Sequence, residues 1–126
     1  MLDQYLKMQV ETATPGELLL MVYEGAIRSL EKAKLKLSKN SIEEATELLF
    51  KAQDAIAELI GALNLEAGEV ANSLYNLYSF MLRKLNDAAI KKQKNLIDEV
   101  IGLLNSLKEA WEEVVKRGTK GIVVQA

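Results

Sequence analysis

The start of a long helix, written TPGE at residues 14–17, constrains the fold more than any other segment. Thr14 can accept a hydrogen bond from the amide of Glu17, and the Glu17 carboxylate can reach back to the amide of Thr14. Pro15 falls at the first helical position, where its missing N–H is not needed. Apolar residues then keep helical spacing as far as Leu37 without a breaker. The pattern predicts a long first helix with a well-defined beginning.

Three further segments repeat this spacing, with apolar residues in alternating steps of four and three. Ser41 is a candidate N-cap for the second helix, with Glu44 as its capping-box partner, and Asn64 is a candidate left-handed terminator. The single proline and seven glycines leave long segments without breakers. Residues 69 and 94 mark the starts of the third and fourth helices.

The helical segments together predict an all-α fold. The helices are expected over about 14–38, 41–64, 69–91 and 94–117. Short turns make consecutive helices antiparallel, so we expect an up-down-up-down four-helix bundle. The whole chain, 1–126, forms a single domain in this interpretation. It includes a mobile N-terminal arm at 1–13 and a tail at 118–126.

Composition excludes several functions. The net charge is −2, which does not favour nucleic-acid binding, and no apolar run is long enough for membrane insertion. The chain has no cysteine for a disulfide or a thiolate site. It also has no histidine, the commonest general base and metal ligand. We therefore expect neither an enzyme nor a protein with a metal or cofactor.

The third helix carries more apolar surface than one core stripe requires. Its inward row is centred on Met81, and a second row lies about 60–120° to one side at about 100° per residue. One interpretation places this second row at a corner, buried between two neighbouring helices. The other places it in a groove between the second and third helices, which would bind an amphipathic helix or an extended apolar segment. The predicted groove residues are Leu48, Ala52, Ala55, Leu59, Tyr75, Tyr78 and Leu82. The arm residues expected to cover this groove are Tyr5, Leu6, Met8 and Val10.

Several motifs resemble the flagellin export chaperone family, FliS. They comprise the arm YLKMQVETA at 5–13, its continuation TPGEL at 14–18, MVYEGA at 21–26, LYSFMLRKLNDA at 77–88 and EAWE at 109–112. The resemblance implies a cytoplasmic helical bundle that binds the disordered C-terminal segment of flagellin. It further implies that binding prevents premature polymerisation, and that the protein assists delivery to the export apparatus at the membrane.

The family motif on the third helix contains Tyr78, Met81 and Leu82, but does not itself distinguish which of them contact flagellin. The second-row geometry favours Tyr78 and Leu82 as contacts and places Met81 in the core. Two other functions are compatible with a helical bundle. Its extra apolar rows could be buried against another copy, giving a self-assembling structural protein or a weak homo-oligomer. It could also bind a small ligand or metal, which the absence of histidine disfavours.

Overall fold

The computed structural model describes residues 13–117, and its architecture is the expected all-α four-helix bundle. The predicted tail and the predicted arm residues Tyr5, Leu6, Met8 and Val10 lie outside the described residues. The helices are α1 (Pro15–Ser38), α2 (Ile42–Gly61), α3 (Glu69–Lys91) and α4 (Lys94–Lys116), with a short 3₁₀ turn at Leu65–Ala67.

Each helix packs against two neighbours around one apolar core. Helix α1 contacts α2 and α4, and α3 contacts the same two helices from the opposite corner. The core is filled by large side chains that are almost completely buried, including Tyr23, Leu30, Ile56, Leu85 and Leu104. Between residues 13 and 117, no helix combines the length and apolar character needed to cross a bilayer.

The predicted beginning of α1 is confirmed, with one difference in its hydrogen bonds. Thr14 is the N-cap, and its hydroxyl oxygen accepts a hydrogen bond of 3.2 Å from the Glu17 amide. Pro15 occupies the first helical position. The Glu17 carboxylate accepts a hydrogen bond of 3.0 Å from the Thr14 hydroxyl, not from the backbone amide. A hydroxyl can donate and accept at once, so one side chain closes both halves of the cap.

The predicted N-cap position of α2 is confirmed, but its capping hydrogen bonds and its predicted terminator are wrong. Ser41 is the N-cap residue, but its side chain makes no capping hydrogen bond. The Glu44 carboxylate instead lies 2.6 Å from the Lys36 ammonium, because the tight connection brings the ends of α1 and α2 together. At the other end α2 stops at Gly61, and Asn64 has a φ of −103°. The Asn64 side chain accepts a hydrogen bond of 3.1 Å from the Glu66 amide, which caps the 3₁₀ turn instead.

Candidate partner-binding surfaces

Three of the seven predicted groove residues lie in the core. Ala52 is 0% exposed, Tyr78 1% and Leu59 3%. The expectation that Tyr78 forms an open groove wall is therefore wrong. The buried row of α3 includes Met81 from the predicted inward row and both Ala71 and Tyr78 from the second row. The core stripe is centred between the two rows because α3 occupies a corner of the bundle and packs against both α2 and α4.

The hydroxyl of Tyr78 is buried without loss of hydrogen bonding. It is hydrogen-bonded to the hydroxyl of Tyr23, and the Trp111 indole N–H donates to the same Tyr23 oxygen at 2.9 Å. Burial raises the pKa of Tyr23, although its hydrogen bonds oppose this effect. Burial, followed by the proximity of Tyr23, raises the pKa of Tyr78 as well. Both phenols thus remain neutral at physiological pH, and this cluster joins α1, α3 and α4.

Two other predicted residues, Leu48 and Ala55, lie on a different side of α2 from the one expected. They line a groove between α1 and α2, together with Met21, Val22 and Gly25 of α1. The groove has a volume of about 350 Å³. The structure therefore does not bring the seven residues together as the walls of one groove between α2 and α3.

The remaining two predicted residues, Tyr75 and Leu82, lie on the outer surface where α2 adjoins α3. Tyr75 is 42% exposed, and Leu82 is half-buried. The Gln53 side-chain amide donates to the Leu82 carbonyl at 3.4 Å, which shows that the two helices meet along this line. The flanks of α2 and α3 on either side of this contact form a continuous surface, here called the α2/α3 face.

The α2/α3 face carries no charged residue. It covers an arc of about 80–160° measured from Ala52 on α2 and from Met81 on α3, at about 100° per residue. The exposed or half-buried residues in this arc are Ile42, Thr46, Phe50, Gln53, Ala57 and Ile60 on α2, and Tyr75, Ser79, Leu82, Asn86 and Ala89 on α3, while Ala71 in the same arc is buried. Charged residues make up 27% of the chain, but none of them falls in this arc. Phe50, at 54% exposure, is its most exposed aromatic side chain.

Unlike the uncharged α2/α3 face, the other three contacts between neighbouring helices carry ion pairs. Lys34 of α1 lies 2.6 Å from Asp98 of α4, and Lys84 of α3 lies 3.0 Å from Glu99 of α4. Lys36 joins α1 to α2. In the described part of the chain, no ion pair joins α2 to α3. The sequence interpretation missed Phe50 and Ala57 on this face, although the missing charges at helical spacing could have revealed them.

Comparisons with known proteins agree with this architecture. The profile of the family described as "Flagellar protein FliS" matches residues 1–118. The flagellar secretion chaperone FliS of Bacillus subtilis (strain 168) is 34% identical over 116 residues, which cover 92% of this chain and 86% of that protein. The protein of the same name from Salmonella typhimurium is 36% identical over 107 residues, covering 83% of this chain and 79% of that protein.

A solved structure described as "Crystal structure of flagellar chaperone from bacteria" has the same fold. Its TM-score is 0.76 at 19% identity, over 92% of this chain and 98% of that chain. The structural likeness supports the bundle architecture, while the profile and the two sequence relatives define the family. This chain belongs to the FliS family of flagellar secretion chaperones.

Proposed function

We propose that this protein is a non-enzymatic chaperone that binds the disordered C-terminal segment of flagellin in the cytoplasm. The observation that carries the proposal is the uncharged α2/α3 face on a member of this family. Binding there would cover the segment and prevent premature polymerisation of flagellin. Assistance in delivery to the flagellar export apparatus is proposed from the family relationship.

The α2/α3 face has the properties that a disordered client requires. From Thr46 to Ile60 it extends about 21 Å along α2, at about 1.5 Å per residue. A segment that orders on binding must offset a cost of about 2–5 kcal/mol or more, and buried apolar area contributes roughly 25 cal/mol per Å². Phe50 and Tyr75 are exposed aromatic side chains of the kind that dominate binding energy. Gln53 and Asn86 can hydrogen-bond to the backbone of the client.

The proposal is tested by calorimetric titration of the full chain with a flagellin C-terminal peptide. The variants Phe50→Ser and Tyr75→Ser remove the exposed anchors, so each is expected to weaken binding about tenfold or more. Leu35→Ser is the matched control, because Leu35 is 61% exposed but lies on α1, away from the face. Tyr78→Ser is unsuitable as a probe, since it would leave a cavity in the core.

The outcomes separate client binding from self-assembly. Client binding predicts a saturable interaction with a negative heat-capacity change, and loss of binding when full-length flagellin lacks its C-terminal segment. Equal affinity of Phe50→Ser, Tyr75→Ser and Leu35→Ser would reject the face. A dimer that persists on dilution in light scattering, and that Phe50→Ser dissociates, would assign the same face to a second copy of this chain.

The covering role proposed for the N-terminal arm has its own measurement. If Tyr5, Leu6, Met8 and Val10 compete with the client, removal of residues 1–12 tightens binding of the flagellin peptide. The described helices begin after this segment, at Pro15, so the truncation retains the whole bundle. Unchanged affinity after truncation would show that the arm does not cover the binding surface.

A further inference from the structure

The groove between α1 and α2, the α1/α2 groove, lies on the other flank of α2 from the α2/α3 face. Its floor is apolar or small, with Val22 and Gly25 from α1 facing Leu48 and Ala55 from α2. From Val22 to Lys32, α1 rises about 15 Å, which is nearly three helical turns. The groove therefore has the length of a short helix.

Charges along the rim are segregated by sign. Because α1 and α2 are antiparallel, Lys36 pairs with Glu44, and the same register brings Lys32 level with Leu48 and Val22 level with Glu58. The same register places Lys51 level with Ser29 and Asp54 level with Ala26, so the half of the groove nearest the α1–α2 connection is basic. The opposite half is acidic. The basic rim residues are Arg28, Lys32 and Lys51, and the acidic ones are Asp54 and Glu58.

The rim charges are also left without partners. Among the described residues, none of these five side chains takes part in an ion pair, whereas charges at the α1–α4 and α3–α4 contacts pair across the helices. All five are exposed. An arrangement of three cations in one half of the groove and two anions in the other would complement a ligand with the opposite order of charge.

We propose that the α1/α2 groove binds an amphipathic helix of a partner protein, with acidic residues in the half that meets Arg28, Lys32 and Lys51, and basic residues in the half that meets Asp54 and Glu58. A partner helix whose C-terminus lies at the basic end also places its macrodipole favourably. This orientation is parallel to α1. The site is separate from the face proposed for flagellin and does not depend on that proposal.

A helix fits this groove better than an extended segment. The backbone groups of α1 and α2 are bonded within their own helices, so an extended chain on the apolar floor would find no backbone partners. A helix satisfies its own backbone. Gly25 further allows close approach at the middle of the groove, because a Cβ atom added there would meet no described atom within 4 Å.

The proposal is tested with two synthetic peptides of about 14 residues, or about 21 Å of helix. Both carry leucine and alanine at helical spacing. One has lysines in its first turn and glutamates in its last, and the other has the same composition with the charges interspersed as i, i+4 Glu–Lys pairs. The interspersed peptide is the better isolated helix, so a preference for the segregated peptide cannot arise from helicity.

Fluorescence anisotropy of the labelled peptides with the full chain should show saturable binding of the segregated peptide, at least about fivefold tighter than the interspersed one. Gly25→Leu should abolish this binding by filling the groove. Gly102→Leu is the matched control: Gly102 is also within a helix with open space at its Cβ position, but it lies on α4. The double variant Lys32→Glu and Lys51→Glu should remove the preference between the peptides.

Three results would overturn the proposal. They are equal affinity for the two peptides, the same affinity in Gly25→Leu as in Gly102→Leu, and absence of saturable binding of either peptide. Circular dichroism of each variant checks that the bundle remains folded. We expect both glycine variants to fold, because a Cβ atom added at Gly25 or Gly102 would meet nothing within 4 Å. Since the probe is a designed peptide, failure here would leave the flagellin proposal standing.

Discussion

At the scale of single residues, the Tyr23 hydroxyl is the polar centre of the core. It is hydrogen-bonded to Tyr78 and accepts a hydrogen bond from Trp111, so it connects α1 to α3 and α4. No buried side-chain nitrogen or oxygen in residues 13–117 lacks a partner. A buried polar group that loses its partner costs about 1–3 kcal/mol. The cluster therefore favours the one packing arrangement in which all three groups meet.

We predict that Tyr23→Phe destabilises the bundle more than Tyr78→Phe does. The first change deprives both the Tyr78 hydroxyl and the Trp111 indole of their partner, whereas the second leaves the Trp111 bond intact. The expected losses are about 2–4 kcal/mol and about 1–2 kcal/mol in the free energy of unfolding. Urea unfolding followed by circular dichroism measures both. Equal losses would contradict the central position of Tyr23.

The same two phenols predict a loss of stability in alkali. An unfolded tyrosine ionises near pH 10.0, while burial raises the pKa of Tyr23 and of Tyr78 in the folded protein. As pH rises above 10, the unfolded state therefore releases protons first. The stabilising contribution is complete below pH 10 and declines above it, by up to about 1.4 kcal/mol per pH unit for each tyrosine.

Urea unfolding between pH 8 and 11 measures this decline in the free energy of unfolding. The double variant Tyr23→Phe and Tyr78→Phe is the control, because it retains every other titrating group. Its free energy of unfolding should fall less steeply over the same range. Parallel curves for the two proteins would contradict the assigned role of the buried phenols.

At the scale of helices, two glycines of α1 have opposite roles. Gly16 is buried, and a Cβ atom there would lie 2.8 Å from Val115 Cγ2 on α4. At Gly25 the same atom would project into open space. Gly16 thus permits α1 and α4 to approach closely, whereas Gly25 lines the α1/α2 groove, where an added Cβ atom would meet no neighbouring helix.

The two glycine positions predict alanine substitutions of opposite sign. Gly25→Ala should raise the free energy of unfolding by about 0.5–1 kcal/mol, because alanine restricts the unfolded chain and favours the helix. Gly16→Ala should lower it, by about 1–3 kcal/mol from overpacking against Val115. Thermal and urea unfolding measure both changes. Adding Val115→Ala to Gly16→Ala should restore part of the loss, and a failure to do so would contradict the steric explanation.

At the scale of the whole molecule, the two proposed binding surfaces differ in electrostatic character. The α2/α3 face has no charged side chains, while the α1/α2 groove has charges of both signs along its rim. Salt weakens interactions between exposed charges, since the Debye length falls from about 10 Å at 0.1 M to about 3 Å at 1 M. Contacts between buried apolar groups are not screened by salt in this way. Ionic strength should therefore distinguish ligands of the two surfaces.

We predict that flagellin-peptide affinity changes by less than about twofold between 0.05 and 0.5 M NaCl, whereas affinity for the charge-segregated helix falls about fivefold or more. Calorimetric titration of each ligand across this range provides the measurement. Leu35→Ser serves as a folded control that alters neither surface. Steep salt dependence of flagellin binding would indicate that its principal contacts lie outside the α2/α3 face.

Local sequence determined the helices and most of the core. The Thr14 cap could be predicted because its groups lie within one helical turn. Buried core residues such as Leu49, Ile56 and Leu85 could be predicted from the helical periodicity of their segments. The capping box expected at Ser41 is absent, since the Ser41 amide donates to the Lys36 carbonyl at 2.8 Å and the Glu44 carboxylate pairs with the Lys36 ammonium of the preceding helix. Local rules describe a helix end well only when no neighbouring element offers its groups a competing partner.

Tertiary structure alone decided which flank of each helix faces which neighbour. Periodicity showed that α2 has apolar residues on two flanks, but Leu48 and Ala55 proved to face α1, while Gln53 and Ile60 lie on the side of α3. A four-helix sequence pattern is compatible with either hand of the bundle, and reversing the hand leaves each helix with the same two neighbours but exchanges the flanks that face them. The apolar stripe is set by intervals along one chain segment, whereas the surface left for a partner depends on how separate segments are arranged in space.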